Sequence, residues 1–380
     1  MYESPKQSRN KTLLAAALLS ACLGSIHAFS IFIAPLEAAF DLPRATVSLT
    51  YSFALVTLTA AVTLGPAIYA RLSPARIFLT ATLLAATGAW VASQASSITA
   101  IWLGYSLAFG AANGLGYGFG LQFAAQSMPE RKGWAMGVVT AAYALGAAHS
   151  PLGFDMAIQQ GGVALGMQSL AAALLFVGIL ATLLVAQSRQ SYTLTSTPKD
   201  QAQVNILPLW IAYGAGVTAG LMAIGHAAGI AEARGFTGWT APAILALCNL
   251  TGSLTGGFLI DRRPPGQTLT TLALITAAAL ACLALMPPLT LAALGLIGLA
   301  YGGTIAAYPA AIAKRHPDAS GPKIYGKVFT AWGAAGLAAP WFAGVIFDQS
   351  GSYSAALWIA AAIALASALT ARALFSPSKN

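Results

Sequence analysis

The sequence predicts an all-α membrane protein whose twelve spanning helices form two bundles of six, and two observations carry that prediction. The first is composition. Of 380 residues, 57% are hydrophobic and 8% charged, against roughly 25% charged in soluble domains. A soluble fold must still wet its surface; a bilayer removes that demand by solvating the outside of the protein. The second is spacing. Apolar runs of about 20 residues, the length that crosses a hydrocarbon core, recur along the whole chain with short polar gaps. The 38 Gly fit membrane helices, where Gly lets backbones approach closely.

The spans lie near 12–37, 45–69, 76–95, 98–127, 133–158, 163–187, 206–229, 240–260, 267–286, 288–313, 325–348 and 352–374. Such gaps leave no room for a soluble domain. The longest, 188–205, is polar and rich in Ser, Thr and Gln, and reads as a flexible linker. The expected organisation is therefore a bundle over 1–187, a cytoplasmic linker over 188–205 and a second bundle over 206–380. Lys6, Arg9 and Lys11 before an apolar run resemble a signal peptide. That run continues to about Pro35, longer than an h-region of roughly 7–15 residues, so it reads as a retained first span.

The formal charge of +9 would suggest nucleic acid in a soluble protein. Here the basic residues occupy the gaps and read as topology signals. With the N-terminus inside, 17 of the 19 Lys and Arg fall on cytoplasmic segments, and Arg44 and Arg234 alone fall outside. Both termini are then cytoplasmic. Compactness and short loops point to a bacterial inner membrane, and a monomer is expected. Cys22, Cys248 and Cys282 lie in apolar stretches without CxxC spacing, so they read as packing residues. The chain has no GxxxxGK[ST], GxSxG or HExxH motif, which argues against an ATP-driven pump and against an enzyme. No cofactor or metal is expected. Met222 and His226 share one face of a span at a spacing that suits a soft metal, but no second cluster accompanies them.

The halves echo each other. Gly114-Leu115-Gly116-Tyr117-Gly118 in span four resembles Gly298-Leu299-Ala300-Tyr301-Gly302 in span ten. Thr140-Ala141 with Gly146 in span five resembles Thr330-Ala331 with Gly336 in span eleven. Equivalent helices in two halves mark parallel repeats of transporters. Twelve spans, a central polar linker and this repeat resemble the major facilitator superfamily. Gly256-Gly257-Phe258-Leu259-Ile260-Asp261-Arg262-Arg263 is similar to its cytoplasmic G-x-L-x-D-R signature, which implies a gating role for Gly257, Asp261 and Arg262. The matching loop after span two keeps Gly65 and Arg71 but lacks the Asp.

Two stretches resemble the oxalate/formate antiporter and monocarboxylate transporter branch. One runs from Gly24 to Phe32 with Pro35-Leu36 and then Arg44-Ala45-Thr46-Val47-Ser48-Leu49. The other runs from Tyr325 to Gly333, with Pro340 and Asp348-Gln349-Ser350-Gly351-Ser352-Tyr353. Oxalate-type members place a Lys where Trp332 stands, and span eight, 240–260, lacks the basic residue of that branch. The charge pair for a dicarboxylate is therefore missing.

Ionisable groups inside a membrane are costly and point to function. No Lys, Arg, Asp or Glu falls clearly mid-span; Glu37, Asp155 and Asp348 sit near span ends and read as solvated. His27, His149 and His226 fall inside spans one, five and seven. His exchanges protons near neutral pH and can hydrogen-bond a carboxylate, so all three are candidates for substrate or proton binding. Each could equally bond a neighbouring helix. Tyr51, Asn113, Tyr117, Gln122, Tyr143, Tyr213, Asn249, Tyr301, Tyr308 and Trp332 extend the set, since polar groups in hydrocarbon must face the bundle or its cavity. Six GxxxG pairs (Gly110/Gly114, Gly116/Gly120, Gly133/Gly137, Gly216/Gly220, Gly225/Gly229 and Gly298/Gly302) permit close helix contact.

The expectation is a secondary transporter working by alternating access. Its substrate is a small organic anion, a monocarboxylate in particular, moved with protons or by exchange. The alternative is efflux of a drug-like or neutral apolar solute.

Overall fold

A computed structural model describes residues 5–193, 205–315 and 321–375. Residues 194–204 of the expected linker, with Lys199, and also Lys379, lie outside the described residues. The described residues form helices and turns, with no strand among them. Among the described residues, eleven helical stretches are long and apolar enough to cross a membrane. One of them, Pro129–Ser188, has 60 residues; at about 1.5 Å per residue that is enough to cross twice. It holds expected spans five and six, joined at Gly161 and Gly162. Gly162 has φ 67°, a conformation that a side chain would strain, so a turn this tight requires Gly there.

Three other spans are interrupted, which hydropathy alone does not signal. Span one is α-helical over Pro5–Leu23, tightens to a 3-10 helix over Gly24–Phe32 and returns to α over Ile33–Phe40. Span four opens into a π-helix over Trp102–Phe109. Span seven ends as an α-helix at Ile224, turns at Gly225 and His226, and resumes over Ala227–Glu232. Irregular turns inside membrane helices free backbone groups that other side chains must satisfy.

Contacts divide the chain into two units, residues 1–42 with 53–195, and residues 43–52 with 196–380. In the first unit, span one packs on span five, span two on span four, and span three on spans four and six. In the second, span seven packs on span eleven, span eight on span ten, and span nine on spans ten and twelve. The two sets of pairs are the same when span numbers are shifted by six, so the sequence echo has a counterpart in packing. The crossings explain the glycines. A Cβ at Gly114 would strike the Leu58 carbonyl, and one at Gly298, its sequence equivalent, the Leu245 carbonyl. The Gly133/Gly137 pair behaves otherwise. Nothing lies within 4 Å of a Cβ at either position, so that pair marks no crossing, although its spacing equals that of the others.

The start of the expected linker is also packed. Tyr192 stacks edge-on against Phe119 at 5.0 Å and Tyr69 at 6.1 Å, and donates to Gln122 Oε1 at 2.6 Å. Thr193 N donates to Gln126 Oε1 at 3.0 Å. Up to Thr193, this segment belongs to the surface of the first unit.

Candidate functional site

Each unit gathers candidate side chains where its fourth and fifth helices meet. In the first unit the centre is Asn113, fully buried on span four. Its Nδ2 donates to the Leu23 carbonyl at 2.5 Å, at the point where span one leaves α geometry. Its Oδ1 accepts from Tyr143 of span five at 3.1 Å. The Tyr117 ring lies 4.3 Å from that of Tyr143, and its hydroxyl is 3.4 Å from Thr140 Oγ1. His27, in the 3-10 segment, meets the Tyr143 ring edge-on at 5.5 Å. Tyr105, in the π-helical segment, donates to the Ile26 carbonyl at 3.3 Å. The two irregular segments therefore face each other, and a hydroxyl from one satisfies a carbonyl of the other. Four predicted residues (His27, Asn113, Tyr117 and Tyr143) converge; Tyr105 is the member that the sequence reading missed.

The second unit repeats the plan with different groups. Trp332 of span eleven donates its indole Nε1–H to the Tyr301 hydroxyl of span ten at 2.6 Å and stacks on Phe329 at 5.5 Å. Tyr213 packs against Tyr308 at 4.8 Å and lies 3.5 Å, hydroxyl to hydroxyl, from Tyr325. Tyr301, Tyr308, Tyr213 and Trp332 are all buried.

The remaining candidates lie apart from these clusters. His149 is exposed, its Nδ1 held 2.9 Å from the Leu145 carbonyl one turn earlier. It shares its helix face with exposed Leu145, Leu152 and Met156. Gln122 is bound by Tyr192. Asn249 is half-buried at the crossing with span ten and accepts from Ser253 Oγ at 3.2 Å. Tyr51 is buried in the 43–52 segment of the second unit. Among the described residues no group of three or more His, Cys, Asp or Glu is placed to hold a metal.

His226 is fully buried and has its own partners. Its Nε2 lies 2.7 Å from the Pro340 carbonyl, and its Nδ1 3.3 Å from the Tyr353 hydroxyl. Asp348, expected to be solvated, accepts from the backbone N–H groups of Arg44 and Ala45 at 2.8 Å each. It thus caps the first turn of the helix Arg44–Tyr69, where a carboxylate meets unsatisfied donors and the positive end of the helix dipole.

Residues 13–321 match the family described as Major Facilitator Superfamily. The chain belongs to the Major Facilitator Superfamily. It is an integral membrane transporter and not an enzyme. A curated superfamily relative, the uncharacterized MFS-type transporter YhjX of Escherichia coli strain K12, is 25% identical over 354 residues, covering 86% of each chain. Solved superfamily structures share the fold. A D-xylose–proton symporter aligns with a TM-score of 0.75 at 14% identity, over 97% of this chain and 98% of its own. A peptide transporter POT in complex with alafosfalin aligns with a TM-score of 0.75 at 12% identity, over 98% of both.

Gly256, not Gly257, makes the close crossing, since its Cβ would meet the Gly303 backbone while nothing lies within 4 Å of one at Gly257. Arg262 covers the Phe258 ring at 3.8 Å. Asp261 is exposed and makes no ion pair with a described residue.

Proposed function

We propose that the protein carries a small organic anion, a monocarboxylate in particular, coupled to protons or by exchange, with both termini cytoplasmic in a bacterial inner membrane. The observation that supports this most is the Trp332–Tyr301 hydrogen bond. An indole N–H only donates, so the Tyr301 oxygen accepts and its own proton is left to donate elsewhere. Tyr301 is thereby set as a donor, the role that a carboxylate requires. The first unit has its own cluster of polar groups without net charge, the amide of Asn113 and the hydroxyls of Tyr117 and Tyr143. A cluster of few, fixed polar groups among aromatic rings, such as that around Tyr301, suits a small solute that is itself partly apolar. The absence of Lys and Arg from both clusters disfavours a dicarboxylate, whose second charge would go uncompensated.

Ligand stabilisation of the purified protein tests this reading. A ligand that binds only the folded state at 100 times its Kd raises stability by about 2.7 kcal/mol. Pyruvate or lactate should raise the unfolding temperature and oxalate should not. Tyr301→Phe should weaken that binding by about tenfold or more, the worth of one hydrogen bond to a charged group. Stabilisation by a neutral apolar solute, with no effect of any acid, would replace the anion reading with efflux of such solutes.

A further inference from the structure

The hydrogen bonds around His226 run in one fixed direction. A carbonyl only accepts, so the ring nitrogen 2.7 Å from Pro340 O, Nε2, carries a proton. In the neutral ring Nδ1 is then an acceptor. The Tyr353 hydroxyl stands between it, at 3.3 Å, and Arg44 Nη1, at 2.7 Å. A guanidinium only donates, so Tyr353 accepts from Arg44 and donates to His226. The chain Arg44 to Tyr353 to His226 to Pro340 carbonyl is complete only while His226 is neutral.

The elements around it are built for close approach. Span seven breaks at Gly225 and His226, and a Cβ at Gly225 would sit 2.9 Å from the Pro340 ring. Gly229, one turn on, leaves room for the Tyr353 hydroxyl in the same way. The Arg44 guanidinium also covers the Phe347 ring at 4.0 Å, and Asp348 caps the backbone of the same turn. Together these contacts fasten residues 43–52 to the second unit.

We propose that His226 is the proton-binding element of a latch that fastens the first turn of the Arg44–Tyr69 helix, closed when the ring is neutral and released when it is protonated. A proton on Nδ1 turns that atom from acceptor to donor. The Tyr353 oxygen then faces two donors, and its own proton must turn away from the ring. It also places a cationic ring one hydroxyl away from the Arg44 guanidinium. The charged groups that face His226 are Arg44 and Asp348, and Tyr353 is the titratable group in contact. Glu232 and Arg234 follow on its own segment. Span seven before the break carries none. The charges of spans eight, ten and twelve, Asp261, Arg262, Lys314, Arg315 and Arg372, lie in their last turns, and Lys327 lies near the start of span eleven. The sign follows: closure holds above the titration of the ring and is lost as pH falls through it.

The proposal rests on the proton-coupled reading, but its test uses no substrate and can fail separately. Ser48, 0% exposed within 43–52, is made the reporter. Ser48→Cys is introduced together with Cys22→Ala, Cys248→Ala and Cys282→Ala, and maleimide labelling is timed in detergent at about pH 8 and about pH 5, on either side of the ordinary His range. Taken at each pH relative to the same variant unfolded in denaturant, so that the loss of thiolate at acid pH cancels, labelling should be about tenfold or more faster at the lower pH, the worth of one hydrogen bond involving a charged group. His226→Gln, which can still donate to Pro340 and accept from Tyr353 but does not titrate, should label slowly at both. Tyr353→Phe should label quickly at both. Equal relative rates at the two pH values in the parent, or an unchanged pH response of the relative rate in His226→Gln, would overturn the latch.

Discussion

Replacing Asn113 by Leu is expected to destabilise the protein by about 2–5 kcal/mol, because the amide joins two buried groups at once. The Leu23 carbonyl loses its donor and the Tyr143 hydroxyl loses its acceptor. A buried polar group deprived of its partner costs about 1–3 kcal/mol. In hydrocarbon there is no bulk water to take over. Asn249→Leu is the matched control. That amide is only half-buried and accepts one bond, from Ser253 at 3.2 Å, so its loss should cost about 1 kcal/mol or less. Thermal unfolding of the two purified variants distinguishes them; equal loss would mean that Asn113 does not support the 3-10 segment.

Gly146→Val should likewise leave little folded protein. A Cβ at Gly146 would land on the Ala21 carbonyl, where spans one and five cross. The obstacle is backbone, which cannot rotate away as a side chain can. Forcing atoms into a filled site typically costs about 1–3 kcal/mol, and more where neighbours cannot yield. Gly137→Val, about two and a half turns earlier on the same helix with nothing within 4 Å, should stay within about 1 kcal/mol of the parent. The yield of monodisperse protein on size exclusion is the readout. A well-folded Gly146→Val variant would mean that the crossing is looser than the approach of Gly146 to the Ala21 backbone indicates.

These two predictions also mark how far the sequence could be read. Span length and hydropathy are bulk properties, so all twelve spans were legible. The two-residue turn at Gly161 and Gly162 still sufficed to separate spans five and six, although the helix is otherwise continuous. The interruptions at Gly24–Phe32 and Trp102–Phe109 were not legible. Those segments are as apolar as their neighbours, and no charge or Pro run marks them. Glycine spacing indicated where helices could approach but not which face points to a neighbour, so Gly133/Gly137 and Gly110/Gly114 looked alike.

The candidate site was legible in part for a related reason. Polarity in an apolar helix picked out Asn113, Tyr117 and Tyr143, which meet in the first unit, and Tyr301 and Trp332, which meet in the second. It also picked out Gln122, whose partner Tyr192 sits in a segment that composition reads as a flexible linker. Asp348 read as solvated because its partners are backbone N–H groups of a helix some 300 residues earlier, a pairing that carries no local pattern. Arg44 and Tyr353 did stand out, but only within stretches that resembled a transporter branch; their chemistry emerges once both lie against His226.

The most direct measurement of the account is uptake of labelled pyruvate and lactate into proteoliposomes, with and without an inward proton gradient and with unlabelled acid inside. Uptake should be accelerated by the gradient or the trapped acid, and sharply reduced by Tyr301→Phe. Folded protein that moves none of these acids under either condition, yet transports a neutral apolar solute, would contradict it.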